Sequence, residues 1–91
     1  MKKATRIYTE VLLKVHKDHI IKALADDSIT VGYKKRLQTW TVFISFPADD
    51  IEPQEFPLQT FSSEATARKV AKEAKQLLME LYGDYPHSWR F

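Results

Sequence analysis

Ninety-one residues without a cysteine make one domain with room for a single modest core, and they exclude disulfides and thiolate metal sites as its support. With 44% apolar and 29% charged residues the chain is neither a disordered tail nor a membrane span, since no apolar run approaches bilayer thickness. A net charge of +2 does not announce a nucleic-acid binder by its total, so the placement of the cations has to decide. The opening MKKATRIYTE carries the two lysines of a leader, but Glu10, Lys14 and Lys17 interrupt the apolar segment a signal peptide needs, and a cytoplasmic location is expected.

From Arg6 to His16 the odd positions Ile7, Val11, Leu13 and Val15 are apolar, while Glu10, Lys14 and His16 fall on even ones. This alternation predicts a strand. A helix over residues 10–25, with Leu12, Ile20, Ala23 and Leu24 on one loose stripe, is the competing reading. Asp18 is placed to cap a short helix from His19 to Ala25, closed by Asp26 and Asp27. Next come two runs rich in β-branched and aromatic residues, 28–33 and 37–46, which read as a hairpin about the basic turn Lys34, Lys35, Arg36. In the second run Trp40, Val42, Ile44 and Phe46 share a core face, and Thr39, Thr41, Phe43 and Ser45 share the other.

Pro47 ends that run, and residues 48–57, with two prolines and four acids, read as an exposed loop before a short strand over 56–61. Residues 62–83 form the longest element. Ala67, Val70, Ala71, Ala74, Leu77, Leu78 and Leu81 recur at steps of three and four, which predicts a helix with one apolar stripe. Ser62 or Ser63 supplies the cap, Glu64 suits the first turn, and Gly83 followed by Pro86 supplies the stop. Tyr85, Trp89 and Phe91 concentrate aromatic surface in the tail, which is expected to fold back on the domain. The fold class is therefore α+β, a single domain over residues 1–91. Its antiparallel sheet has three or four strands, with one long C-terminal amphipathic helix on one face and Val70, Ala74, Leu77, Leu78 and Leu81 against Val42, Ile44 and Leu58.

No motif for catalysis, metal or cofactor emerges. His16 and His19 have a spacing that two metal ligands can use, but a third ligand is missing. Asp49, Asp50, Glu52 and Glu55 lack the glycine and the ligand spacing of a calcium loop. Ser62 and Ser63 are explained by capping, and two glycines are too few for a phosphate-cradling loop. A non-catalytic role without a cofactor is the expectation.

The cations are sorted. Arg68, Lys69, Lys72 and Lys75 lie on one edge of the long helix, and Glu73 and Glu80 lie on the other. With the Lys34, Lys35, Arg36 turn and the opening Lys2, Lys3 and Arg6 they make three basic clusters suited to a phosphate backbone, DNA or RNA. The alternative is a protein-binding module, a small inhibitor or adaptor. If the first strand joins the sheet, Tyr8, Leu12 and Phe43 share its outer face as a patch for a protein partner or a homodimer. No membrane partner is expected.

From Ile29 to Phe91 the chain resembles the three-strand-plus-helix DNA-binding domain of plant ethylene-response factors and of the arm-binding domains of tyrosine recombinases. Trp40, Val42 and Ile44 on one strand carry the likeness, then Leu58, Thr60 and Phe61, the Ser-Ser-Glu helix start, Ala67 and Ala74, and Tyr82-Gly83. That resemblance implies a sheet laid against the DNA major groove. A second one rests on Arg68-Lys69-Val70-Ala71-Lys72, which is similar to the start of the last helix in double-stranded-RNA-binding domains. It implies cations that hold phosphates, and a helix in place of the first strand.

Overall fold

A computed structural model describes residues 1–48 and 52–87. The element order is α1 (Lys3–Val15), α2 (Lys17–Ala25), β1 (Thr30–Arg36), β2 (Thr39–Pro47), β3 (Pro53–Phe61) and α3 (Glu64–Tyr82). The three strands form one antiparallel sheet in the order β1-β2-β3, and α3 follows as the long C-terminal helix.

The sheet follows the alternation of β2. Val42, Ile44 and Phe46 are fully buried and face the helices. Val42 packs with Ala67, Val70 and Ala71 of α3, and Ile44 and Phe46 pack with Leu77 and Leu78 of α3 and with Leu13, Ile20 and Leu24 of the first two helices. All three helices therefore cover one face. The helix stripe is buried as its spacing requires, except that Leu81 remains half-buried at the margin, as does Leu58 of β3.

α3 begins where its cap is. The Thr66 N–H donates to Ser63 Oγ at 3.4 Å, and Glu64 follows in the first turn. At the other end Gly83 keeps right-handed helical angles, φ −65°. Space demands glycine there, since an added Cβ would lie 2.4 Å from the Met79 carbonyl oxygen. In the tail Tyr85 sits 6.1 Å from the Tyr82 ring; Trp89 and Phe91 lie outside the described residues.

Three expectations are corrected. Residues 6–15 are helix, part of α1, not strand, and His16 caps it. Ile7, Val11 and Val15 stand four apart and fit both periods, and the helix buries Thr9 and Leu13, one turn apart, instead of them. The loop expected over 48–57 ends earlier, because β3 starts at Pro53; its prolines are tolerated on an edge strand. Finally, Lys34, Lys35 and Arg36 belong to β1, and the turn is Leu37-Gln38, with Arg36 paired to Thr39. A two-residue hairpin favours a positive φ at its first central residue, and Leu37 adopts φ 56°.

Candidate nucleic-acid interface

The register brings the hairpin tip and the start of α3 to one end of the domain. Lys35 pairs with Trp40, Trp40 pairs with Phe61, and α3 is capped two residues after Phe61. Tyr33 joins them. Arg68 Nε donates to its hydroxyl at 3.1 Å, the hydroxyl donates to Glu64 Oε1 at 3.4 Å, and its ring meets Trp40 edge-on at 5.8 Å. Lys35 Nζ lies 5.9 Å from the Trp40 ring centroid, within reach of a cation–π interaction. The Arg68 guanidinium is pushed above its ordinary range, first by the hydrogen bond to Tyr33 and then by the Coulombic pull of Tyr33 and Glu64, and stays a full cation.

Lys69 and Lys72 are exposed in the second and third turns of α3. Neither makes an ion pair among the described residues. The acidic edge of the same helix is occupied from within. The Met1 ammonium pairs with Glu73, and Arg6 reaches Glu80 at 3.4 Å while also holding Glu10 at 3.3 Å. Met1, Arg6, Glu73 and Glu80 help wall a cleft of about 180 Å³. Arg6 is thus spent on the fold, and the basic edge of α3 is left facing outward.

Strand alternation divides the basic triplet. Lys35 faces the helical side, beside Tyr33, Trp40 and α3. Lys34 points to the opposite face, paired with Glu55 and with Nζ 5.5 Å from the Phe43 ring. Arg36 shares that face by alternation but stands exposed at the strand end, its carbonyl accepting from Thr39 Oγ1 at 3.0 Å. Of the six cations singled out, Lys35 therefore lies on the helical side with Arg68, Lys69 and Lys72 of α3, Arg36 stands exposed at the strand end beside the turn, and Lys34 is paired on the far face.

The patch expected from Tyr8, Leu12 and Phe43 does not exist. Phe43 lies on the uncovered sheet face, half-buried beside Gly32, whose Cβ position would be 3.8 Å from Phe43 Cζ. Tyr8 and Leu12 sit on α1, which packs against the other face. The helical reading of residues 3–15 separates what the strand reading joined.

His16 serves packing. Its ring meets Phe46 at 5.3 Å, Phe56 at 5.1 Å and His19 at 5.9 Å, and among the described residues no group of three potential metal ligands forms. Among those residues, too, no helix is long and apolar enough to cross a membrane. Tyr33 was the residue that sequence reasoning missed at the candidate site. Its signal was there, two positions before Lys35 and so on the same strand face. No family model, curated protein or solved structure matches the chain.

Proposed function

We propose that the chain is a small, non-catalytic nucleic-acid-binding domain that holds a phosphate backbone between the hairpin end and the start of α3. Lys35 and Arg36 supply one side of the contact, and Arg68, Lys69 and Lys72 supply the other. The observation that supports this reading is the convergence of those two elements, with Tyr33 linking them through Arg68 at 3.1 Å; Glu73 and Glu80 are engaged by the Met1 ammonium and Arg6, while Glu64 stays at the site, paired with Arg68 at 3.4 Å.

Of the two family likenesses, the one to double-stranded-RNA-binding domains gains support. It requires a helix ahead of the three strands, and α1 and α2 precede β1. The sheet-reading mode of ethylene-response factors has less to work with. The uncovered face offers Thr30, Thr39, Thr41 and Phe43, and its Lys34 is paired with Glu55. Duplex RNA, read by shape and phosphates rather than by base edges, is therefore the proposed ligand class.

Fluorescence anisotropy with duplex RNA, duplex DNA and single strands tests the proposal. Duplex RNA should bind most tightly, and its affinity should fall by at least tenfold between about 50 and 200 mM salt as counterions are released. Absence of binding at the lower salt, or affinity indifferent to salt, would overturn it.

A further inference from the structure

The first helix is built with its polarity inverted. Its side toward the core carries Thr9, fully buried, with Leu13; Thr9 is tolerated there because its hydroxyl donates to the Thr5 carbonyl at 2.7 Å. Its side toward solvent carries Ile7, Tyr8, Val11 and Val15, which are 53, 49, 55 and 72% exposed. Single exposed apolar residues mean little, but these four run along one stripe of a thirteen-residue helix.

We infer that this stripe docks a second copy of the chain, with two α1 helices packed antiparallel about a two-fold axis at Val11. The spacing is symmetric about that residue. Ile7 and Val15 lie four positions to either side, so an antiparallel copy sets Ile7 of one chain against Val15 of the other, twice, as an isologous contact demands. Charge agrees with the same register. Glu10 and Lys14 stand one turn apart on one rim of the stripe, and reversal of the partner brings its Lys14 beside Glu10. Lys14 makes no ion pair among the described residues, and Arg6 holds only Oε1 of Glu10, which leaves Oε2 for the partner.

Area sets the strength. The stripe exposes on the order of 400 Å² per copy, the size at which an apolar patch marks an interaction site. Two copies with their rims bury roughly 1,200 Å², the lower limit of specific interfaces, so the dimer is a weak one. Arg6, which reaches Glu80 on the acidic edge of α3, projects from α1 on the side away from Val11 and Val15.

Sedimentation velocity from about 5 to about 500 μM covers the range expected for an interface of this size. The mass should rise with concentration from 10.6 kDa toward twice that value. Val11→Glu, at a solvent-exposed position, should keep the helical circular dichroism and remain monomeric throughout. Glu10→Lys and Lys14→Glu should each weaken the dimer at least tenfold, and the two together should restore it. A wild-type chain that stays monomeric over the whole range overturns the inference. So does a dimer indifferent to Val11→Glu, or a double swap that fails to restore association. A monomer that instead floats with anionic phospholipid vesicles, and loses this with Val11→Glu, would assign the stripe to a membrane surface.

Discussion

The hydroxyl of Tyr82, in the last turn of α3, donates to the main-chain carbonyl of Leu13, in the last turn of α1, at 2.7 Å and out of contact with solvent. Carbonyls at a helix C-terminus have no partner within the helix, and a buried one needs an outside donor. Tyr82 supplies it, and so couples the first helix to the last across 69 residues of chain.

Tyr82→Phe should keep the packing and leave the Leu13 carbonyl buried without a donor, at a cost of about 1–3 kcal/mol in urea unfolding. The pH dependence follows from the hydroxyl. Burial, with a smaller contribution from Tyr85, raises its pKa above the ordinary 10.0, because the folded state favours the neutral form. Below pH 10 both states are protonated and the contribution is whole. Above it the unfolded chain ionises first, and stability falls as pH climbs toward the folded-state pKa. The gap between wild type and Tyr82→Phe should therefore hold up to about pH 10 and shrink above it. A constant gap would mean that the hydroxyl does not titrate with folding.

Leu77 tests the seam between sheet and helices. It is 4% exposed, in the cluster that includes Leu13, Leu24, Ile44 and Phe46. Leu77→Ala should cost about 2–5 kcal/mol as a cavity mutation, and Leu81→Ala, at the half-buried margin, distinctly less. Equal costs at the two positions would contradict the placement of the core.

α3 was legible because stripe, cap and stop agree over residues 63–83, and β2 because its two faces differ so sharply in composition. α1 was not, for a physical reason. Burial patterns are read on the assumption that apolar side chains face inward, and this helix turns Thr5 and Thr9 inward and Ile7, Val11 and Val15 outward. Thr5 is satisfied by Gln59, whose Oε1 accepts from it at 2.7 Å. Gln59 sits at an irregularity of β3, where the register with β2 shifts between Val42 and Phe43, and no composition rule foretells that bulge. The six candidate cations were readable as charges but not as a surface, since a turn over Lys34, Lys35 and Arg36 leaves alternation nothing to divide, whereas β1 separates Lys34 from Lys35.

Leu37 combines two costs, a positive φ of 56° and a side chain 96% exposed. A β-carbon in the left-handed region costs about 1–2 kcal/mol, partly offset in a glycine variant by its greater unfolded-state entropy. Leu37→Gly should therefore raise stability by about 0.5–1 kcal/mol, and Leu37→Val, with its branched Cβ, should lower it. Thermal unfolding of the two variants checks this, and an unchanged midpoint in both would show that the turn relaxes freely.

Lys34 and Lys35 are neighbours in sequence and opposites in space, and that contrast gives the sharpest test of the proposed interface. Lys35 stands over Trp40 on the side of α3, whereas Lys34 is held on the far face by Glu55 and by the Phe43 ring. Both replacements remove one positive charge, so any effect of net charge alone must be equal. A contact effect must not be. Lys35→Ala should weaken duplex RNA binding and lower the salt slope by roughly one unit, as the loss of one phosphate contact requires, and Lys69→Ala and Lys72→Ala should do the same. Lys34→Ala should leave the slope unchanged and cost at most about 1 kcal/mol of stability, the usual worth of an exposed ion pair. Equal losses from Lys34→Ala and Lys35→Ala would mean that the phosphates feel only the field of the whole domain, and the convergence of hairpin and helix would then have no part in binding.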